Sequence, residues 1–210
     1  MADRDESVRM QFRNPAGDEG LMVLREMNEH HVPLWDWCLS GMPKAADGSL
    51  LDIGCGGGGF LRRLSQKYPY SSLWGLDISP DALKMTGEVN SDLVDDGSLT
   101  LVQASVDDLP FDNGSFDLVT AMETYFFWPD LKRSIAEIAR VLTDGGMLFI
   151  GSEMRLTEDN REEMERASAD YGTKLVTDDE MVAAIEAAGL EPRVIADDNG
   201  KWAMYVGMKP

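Results

Sequence analysis

The stretch Leu50-Leu51-Asp52-Ile53-Gly54-Cys55-Gly56-Gly57-Gly58-Gly59 constrains this chain more than any other. A short apolar run enters a string of glycines and leaves as a helical segment, Gly59 to Lys67. Glycine takes positive φ without steric cost and keeps side chains away from whatever its amides approach. The helix behind it presents unpaired N–H groups in its first turn. Strand, glycine turn and helix in that order build the first-strand crevice of a doubly wound sheet.

The remaining chain alternates to match. Strands are expected at Ser72–Leu76, Leu99–Ala104, Phe116–Ala121 and Met147–Gly151, in addition to Ser49–Ile53. Helices are expected at Pro80–Asn90, with Ser79 as N-cap, and at Leu131–Leu142, closed by the turn Asp144-Gly145-Gly146. Such alternation implies an α/β fold, a mostly parallel sheet with helices on both faces. A helix at Asp178–Ala188 then leads into strands Glu191–Ala196 and Lys201–Met208, joined through Asp198-Asn199-Gly200, a hairpin signal. Before the sheet, apolar positions at Leu21, Leu24, Met27, His31, Leu34 and Trp35 trace one helix over Asp18–Leu39, with Pro33 as a kink or break point. Ser40–Gly48 reads as the loop into the core, dividing a helical cap over 1–48 from a sheet domain over 49–210.

Composition removes several functions. Asp plus Glu number 38 against 19 Lys plus Arg, a net charge of -19, which opposes nucleic-acid binding. A solvated acidic face, or adaptation to high salt, accounts for that charge. No apolar run reaches the ~18 residues of a membrane span. The charged stretch Met1–Arg13 has no apolar core of a leader, so a cytoplasmic protein is expected. Two cysteines, Cys38 and Cys55, and two adjacent histidines, His30 and His31, suggest neither a disulfide framework nor a metal site.

Two acidic residues accompany the glycines. Asp77 closes the second strand ~20 residues on, where a carboxylate receives ribose hydroxyls. The glycines fit two patterns, Gly54-x-Gly56-x-x-Gly59 of dinucleotide sites and Asp52-x-Gly54-x-Gly56-x-Gly58 of S-adenosylmethionine (SAM) sites. Asp52 separates them: beside the loop it repels a pyrophosphate and suits the ammonium and sulfonium of SAM.

From about Leu50 to Glu153 the chain resembles the class I SAM-dependent methyltransferases, in particular the small-molecule branch with a Methyltransf_11-type domain. Leu51–Gly58 resembles the motif that wraps the methionine part of SAM, and Gly75-Leu76-Asp77-Ile78-Ser79 the next motif. Asp108-Leu109-Pro110-Phe111, Asn113–Val119 and Ile138–Gly146 resemble the later segments. The resemblance implies a Rossmann-like seven-stranded sheet of order 3-2-1-4-5-7-6 with the last strand antiparallel. It implies SAM as cofactor and S-adenosylhomocysteine as product. The site residues it points to are Asp52, Gly54, Cys55, Gly56 and Gly58 around the methionine part, Asp77 on the ribose and Ile78 on the adenine, with Met122 beyond. The family usually carries Asp where Ser105 stands, so the adenine contact passes to Ser105, the Val106 amide or Asp107. The segment Gln11–Pro15 through Met27–His31 resembles a cofactor cap.

The residues after the fourth strand, Met122-Glu123-Thr124-Tyr125-Phe126-Phe127-Trp128, are where such enzymes form the acceptor pocket. Glu123 is a candidate for anchoring the ammonium or accepting a proton; Tyr125 and Trp128 are candidates for lining the acceptor or facing the sulfonium. His31 is a candidate general base, with Asn28 one turn earlier on the same face. A small-molecule acceptor is the expected partner, with no nucleic acid or membrane, for a monomer or homodimer. The alternatives are a SAM-binding protein without transferase activity and an NAD(P)-dependent oxidoreductase, the latter without a Tyr-x-x-x-Lys pair.

Overall fold

The computed structural model describes residues 6–43, 48–69 and 72–210. Part of the predicted entry loop, residues 44–47, and the first five residues of the charged N-terminal stretch lie outside them.

Three helices open the chain: α1 (Glu6–Arg13), α2 (Gly17–His30) and α3 (Val32–Gly41). The sheet domain then alternates β1 (Ser49–Ile53), α4 (Gly59–Lys67), β2 (Ser72–Asp77), α5 (Pro80–Val89), α6 (Ser91–Asp95), β3 (Leu99–Gln103) and β4 (Phe116–Met122). A single 3₁₀ turn, Tyr125–Phe127, leads to α7 (Leu131–Val141), β5 (Leu142–Ser152), α8 (Arg161–Tyr171), α9 (Asp178–Ala187), β6 (Glu191–Ala196) and β7 (Ala203–Met208).

The sheet runs β3-β2-β1-β4-β5-β7-β6, with β7 antiparallel to both neighbours, as expected. The strands sort their side chains between two cores because successive residues point to opposite faces. Leu51, Ile53, Val119, Ala121, Leu148, Ile150 and Tyr205 face one layer, which Ile135 and Ile138 of α7 and Met181 and Ile185 of α9 cover. Leu50, Leu118, Phe149, Met204 and Val206 face the other, under Leu34 and Trp35 of α3 and Phe60 and Leu61 of α4. The helix α3 therefore belongs to the core of the sheet. No helix among the described residues is long and apolar enough to cross a membrane.

Four local differences from the sequence reading have physical causes. The long first helix is broken at His31, where φ is -82° and ψ 0°. Val32 and Pro33 begin a new helix there, because proline has no N–H to continue the old one but suits a first turn. The Asp144–Gly146 turn does not leave the sheet: β5 absorbs it as an irregularity, pairing Phe116 with Leu142 and Leu118 with Met147, while Gly145 takes φ +78°. Strand β7 starts at Ala203 because Asp197 holds the turn, its backbone N–H donating to Trp202 O and its carboxylate accepting from Trp202 N. Helices α1, α6 and α8 went unread, α6 being five residues long and α8 burying no residue along its length. The Ser79 cap is as expected, its Oγ accepting from Ala82 N at 3.0 Å.

Candidate functional site

Parallel strands of an open sheet point their carboxyl ends at one crevice. Here β1, β2 and β4 end on Asp52-Ile53, Asp77 and Met122, and the loops beyond them line a single cleft. Of the sequence-derived residues the cleft gathers Asp52, Gly54, Cys55, Gly56, Asp77, Ile78, Ser105, Val106, Met122, Glu123, His31 and Trp128.

The glycine loop has the predicted backbone. Gly54, Gly56 and Gly58 have φ of +69°, +53° and +78°. A Cβ on Gly54 would stand 2.5 Å from Thr124 Oγ1, so the loop packs directly on the segment after β4. Gly58 serves helix packing instead: it is absent from the cleft lining, and a Cβ there would stand 2.8 Å from Thr86 Cα of α5. The loop is also held from above by Asn28 of α2, whose Nδ2 donates to Gly57 O at 2.9 Å and whose Oδ1 accepts from Gly59 N at 3.3 Å.

The carboxylates are buried and strained electrostatically. Asp52 is 2% exposed; burial pushes its pKa up to about 7, with Asp77 adding repulsion and the hydrogen bond from Thr120 Oγ1 at 2.7 Å opposing. Asp77 accepts from Gly56 N and Ser79 N, both at 2.9 Å, so it ties the glycine loop to the start of α5. Its pKa is raised by burial against those bonds. Glu123 is the one non-glycine residue with positive φ among the described residues, at +55°. A carboxylate residue in the left-handed region at a strand end is the kind of stored strain that marks functional sites. Burial pushes its pKa up to about 7, with His31 pulling down and Glu153 pushing up.

Beyond Asp77, Ile78 is 40% exposed although apolar and stands on the cleft wall. Ser105 Oγ is hydrogen-bonded to the Asp107 carboxylate, which itself lies off the cleft. Asp107 thus orients Ser105 so that its oxygen lone pairs remain to accept a hydrogen bond. Both cysteines are buried free thiols, with Cys38 pushed up to about 12 and Cys55 also raised, chiefly by burial. Cys55 contributes backbone and bulk to the cleft, not a thiolate.

A second cavity of about 320 Å³ adjoins the first and shares Phe12, Met27, His31, Glu123 and Phe127 with it. His31 and Glu123 thus stand on the partition. The break at His31 changes what the two histidines can do: on a continuous helix they would diverge by about 100°, but here both rings turn to Glu153. Glu153 Oε1 lies 3.1 Å from His30 Nε2 and 3.2 Å from His31 Nδ1, the second an ion-pair contact off the hydrogen-bonding direction. Burial lowers the His31 pKa, but Glu153 and Glu123 outweigh it and leave it raised. Burial likewise lifts Glu153, and the two histidines outweigh it and leave it lowered. Tyr125 lines neither cavity: it is 2% exposed, packed edge-on to Phe126 and Tyr205 beneath the floor.

Three lining residues were missed or left without a role by sequence reasoning: Asn28 and Trp35 of the first cavity and Glu153 of the second. Glu153 had a signal, since it follows β5 as Glu123 follows β4, at the same edge of the sheet.

Residues 51–150 match the model of a methyltransferase domain. Over 113 residues, 52% of this chain, it is 41% identical to an uncharacterized chloroplastic methyltransferase of Arabidopsis thaliana, covering 32% of that protein. Over 109 residues, also 52% of the chain, it is 32% identical to a sarcosine/dimethylglycine N-methyltransferase of Halorhodospira halochloris, covering 39% of it. The chain thus spans about a third of the length of the curated relatives it matches. Among solved structures, a chain from the complex between the Haloferax volcanii Trm112 methyltransferase activator and a methyltransferase superposes with a TM-score of 0.78, at 24% identity, over 99% of each chain. That likeness establishes the fold from end to end, and the domain match over residues 51–150 includes the strand ends and loops that line the cleft. Over residues 51–150 the chain is thus similar to methyltransferase domains, carried on the Rossmann-like seven-stranded sheet of methyltransferase structures.

Proposed function

We propose that this chain is an enzyme that takes a methyl group from SAM and delivers it to a small-molecule acceptor. The observation that carries this reading is the pair of adjoining cavities with His31 and Glu123 on their common wall. One cavity suits a cationic nucleoside and the other has room for an acceptor beside it.

The first cavity fits SAM on its own chemistry. Trp35 Nε1 and Trp128 Nε1 are buried donors without partners, and both residues line it. Buried donors left unpaired cost free energy unless a ligand accepts from them. Asp52 and Glu123 are carboxylates that burial holds near neutrality until a cation compensates them. Asp77 would take the ribose hydroxyls, Ile78 and Ser105 the adenine, and Arg13, the one Lys or Arg among the described lining residues, the methionine carboxylate. When bound, SAM supplies a methyl group already activated on a sulfonium. The protein's work is then to orient the acceptor, exclude water under the α1–α2 cap, and remove a proton where the acceptor carries one. Glu123 and His31 stand where that proton would leave. Asp52 and Glu123 argue against NAD(P), whose pyrophosphate they would repel.

Ultraviolet crosslinking of methyl-labelled SAM, followed by peptide mapping, tests this. Label on peptides containing 52–60 or 122–129, competed away by S-adenosylhomocysteine, is expected. Label elsewhere, or label that does not compete, would overturn it.

The end-to-end match to a chain solved with an activator protein favours a second reading, in which this chain works alongside a small activator partner. A stable complex on co-expression with the Haloferax volcanii activator is the test of that reading, and separate elution of the two proteins would reject it.

A further inference from the structure

The second cavity carries more carboxylates than basic side chains. Its carboxylates are Glu26, Glu123 and Glu153, and no Lys or Arg lines it among the described residues. Its two imidazoles, His30 and His31, are already directed at Glu153. The hydroxyl oxygen of Thr173, another lining residue, is buried without a partner. The remaining wall is largely aromatic. Phe12 meets Tyr171 edge-to-face at 5.0 Å, and Phe126 meets Phe127 edge-to-face at 4.8 Å. Aromatic ring faces carry negative potential.

Resting on the methyltransferase reading, we infer that the acceptor is a compact amine that enters as its ammonium ion. An ammonium has three donors and no acceptor, which complements carboxylates and the Thr173 oxygen. It is attracted to aromatic faces, while a carboxylate, phosphate or phenolate would be repelled by three carboxylates with no Lys or Arg among the described lining residues to offset them. The burial gradient gives the direction of entry. Glu26 and His30 are exposed and form the mouth; Glu123 and Phe126 are buried and form the floor, with Glu123 on the wall shared with the first cavity. At the floor the ammonium transfers one proton to the Glu123 carboxylate, which leaves a lone pair on nitrogen and a neutral carboxylic acid on Glu123. His31, on the same wall, is placed to carry that proton outward to solvent. Glu153 is a positioning residue: it holds both imidazoles and supplies negative charge along the path.

Calorimetric titration of the S-adenosylhomocysteine-loaded protein with three matched compounds, 2-phenylethylamine, 2-phenylethanol and 3-phenylpropionate, tests the inference near neutral pH. The amine is expected to bind about tenfold more tightly than the alcohol, and the carboxylate not at all. Glu153→Gln should weaken the amine about tenfold, and the exposed Glu26→Gln about twofold to threefold, each with unchanged affinity for S-adenosylhomocysteine. Equal or tighter binding of the alcohol or carboxylate, no binding of the amine at millimolar concentration, or amine affinity indifferent to both substitutions would overturn it. The loading step separates the two readings: if S-adenosylhomocysteine binds and the amine is not preferred, only the acceptor class is wrong. If S-adenosylhomocysteine does not bind, the methyltransferase reading fails and takes this inference with it.

Discussion

Glu153 Oε1 lies 3.2 Å from Nδ1 of His31, across the wall that divides the two cavities. Against the lowering effect of burial, this contact and the nearby Glu123 raise the pKa of a histidine at a helix break. The His31→Ala substitution should lower turnover about a hundredfold, within the range of lost general acid–base catalysis, while SAM affinity changes little. Steady-state rates and a binding isotherm on the same variant check it; parallel losses in both would make His31 a cofactor ligand instead.

Asp77 has two duties, which one substitution separates. Its carboxylate accepts from Gly56 N and Ser79 N, and it lines the cleft where the proposed ribose hydroxyls would bind. Asp77→Ala should weaken SAM binding about 10- to 100-fold, the scale of hydrogen bonds to a charged group. It should also lower the melting temperature, because the loop loses its tie to α5. Asp77→Asn keeps one acceptor oxygen and should recover part of both. Unchanged affinity in the alanine variant would remove Asp77 from the site.

Proton linkage at Asp52 has a definite sign. Its pKa is about 7 in the folded chain, against an ordinary value of 3.8, so between those limits the folded state holds more protons than the unfolded state. Stability contributed by Asp52 therefore falls as pH rises through that window. Wild type should lose stability relative to Asp52→Asn between about pH 4 and pH 7. SAM, a cation, favours the ionised carboxylate, so its affinity for wild type should climb over the same range. Thermal denaturation of both proteins with and without SAM measures this, and an opposite slope would contradict it.

Two glycines separate backbone conformation from close packing. Gly58 and Gly97 share φ of +78° and +80°, but a Cβ would meet Thr86 Cα at 2.8 Å in the first and nothing within 4 Å in the second. Gly97→Ala should cost only about 1 kcal/mol, that of placing a side chain at positive φ. Gly58→Ala should cost clearly more, because backbone must move. Equal melting shifts would mean that α4 and α5 are not held together at this point.

Much of the site was legible because its residues sit at strand ends whose positions follow from pattern. Asp52 and Asp77 were placed by their positions at the ends of the first two strands, and Glu123 by the resemblance of the segment after the fourth strand to an acceptor pocket. What was not legible depended on contacts between distant segments. Asn28 reaches the glycine loop across 29 residues of chain, and nothing in the local sequence of α2 announces that bond. The convergence of His30 and His31 on one carboxylate needed the break in the helix, which Pro33 hinted at and His31 carries out. Tyr125 was drawn toward the site by its neighbours Glu123 and Phe127, yet a one-turn 3₁₀ segment turns it into the core against Tyr205. Tyr125→Phe should accordingly leave turnover nearly unchanged while altering stability.

Calorimetric titration of the purified chain with S-adenosylhomocysteine and NAD in parallel tests the central claim most directly. Saturable binding of S-adenosylhomocysteine, abolished or sharply weakened in Asp77→Ala and unaccompanied by NAD binding, is the predicted result. Binding of NAD without S-adenosylhomocysteine would contradict it and would mean that Asp52 tolerates a pyrophosphate.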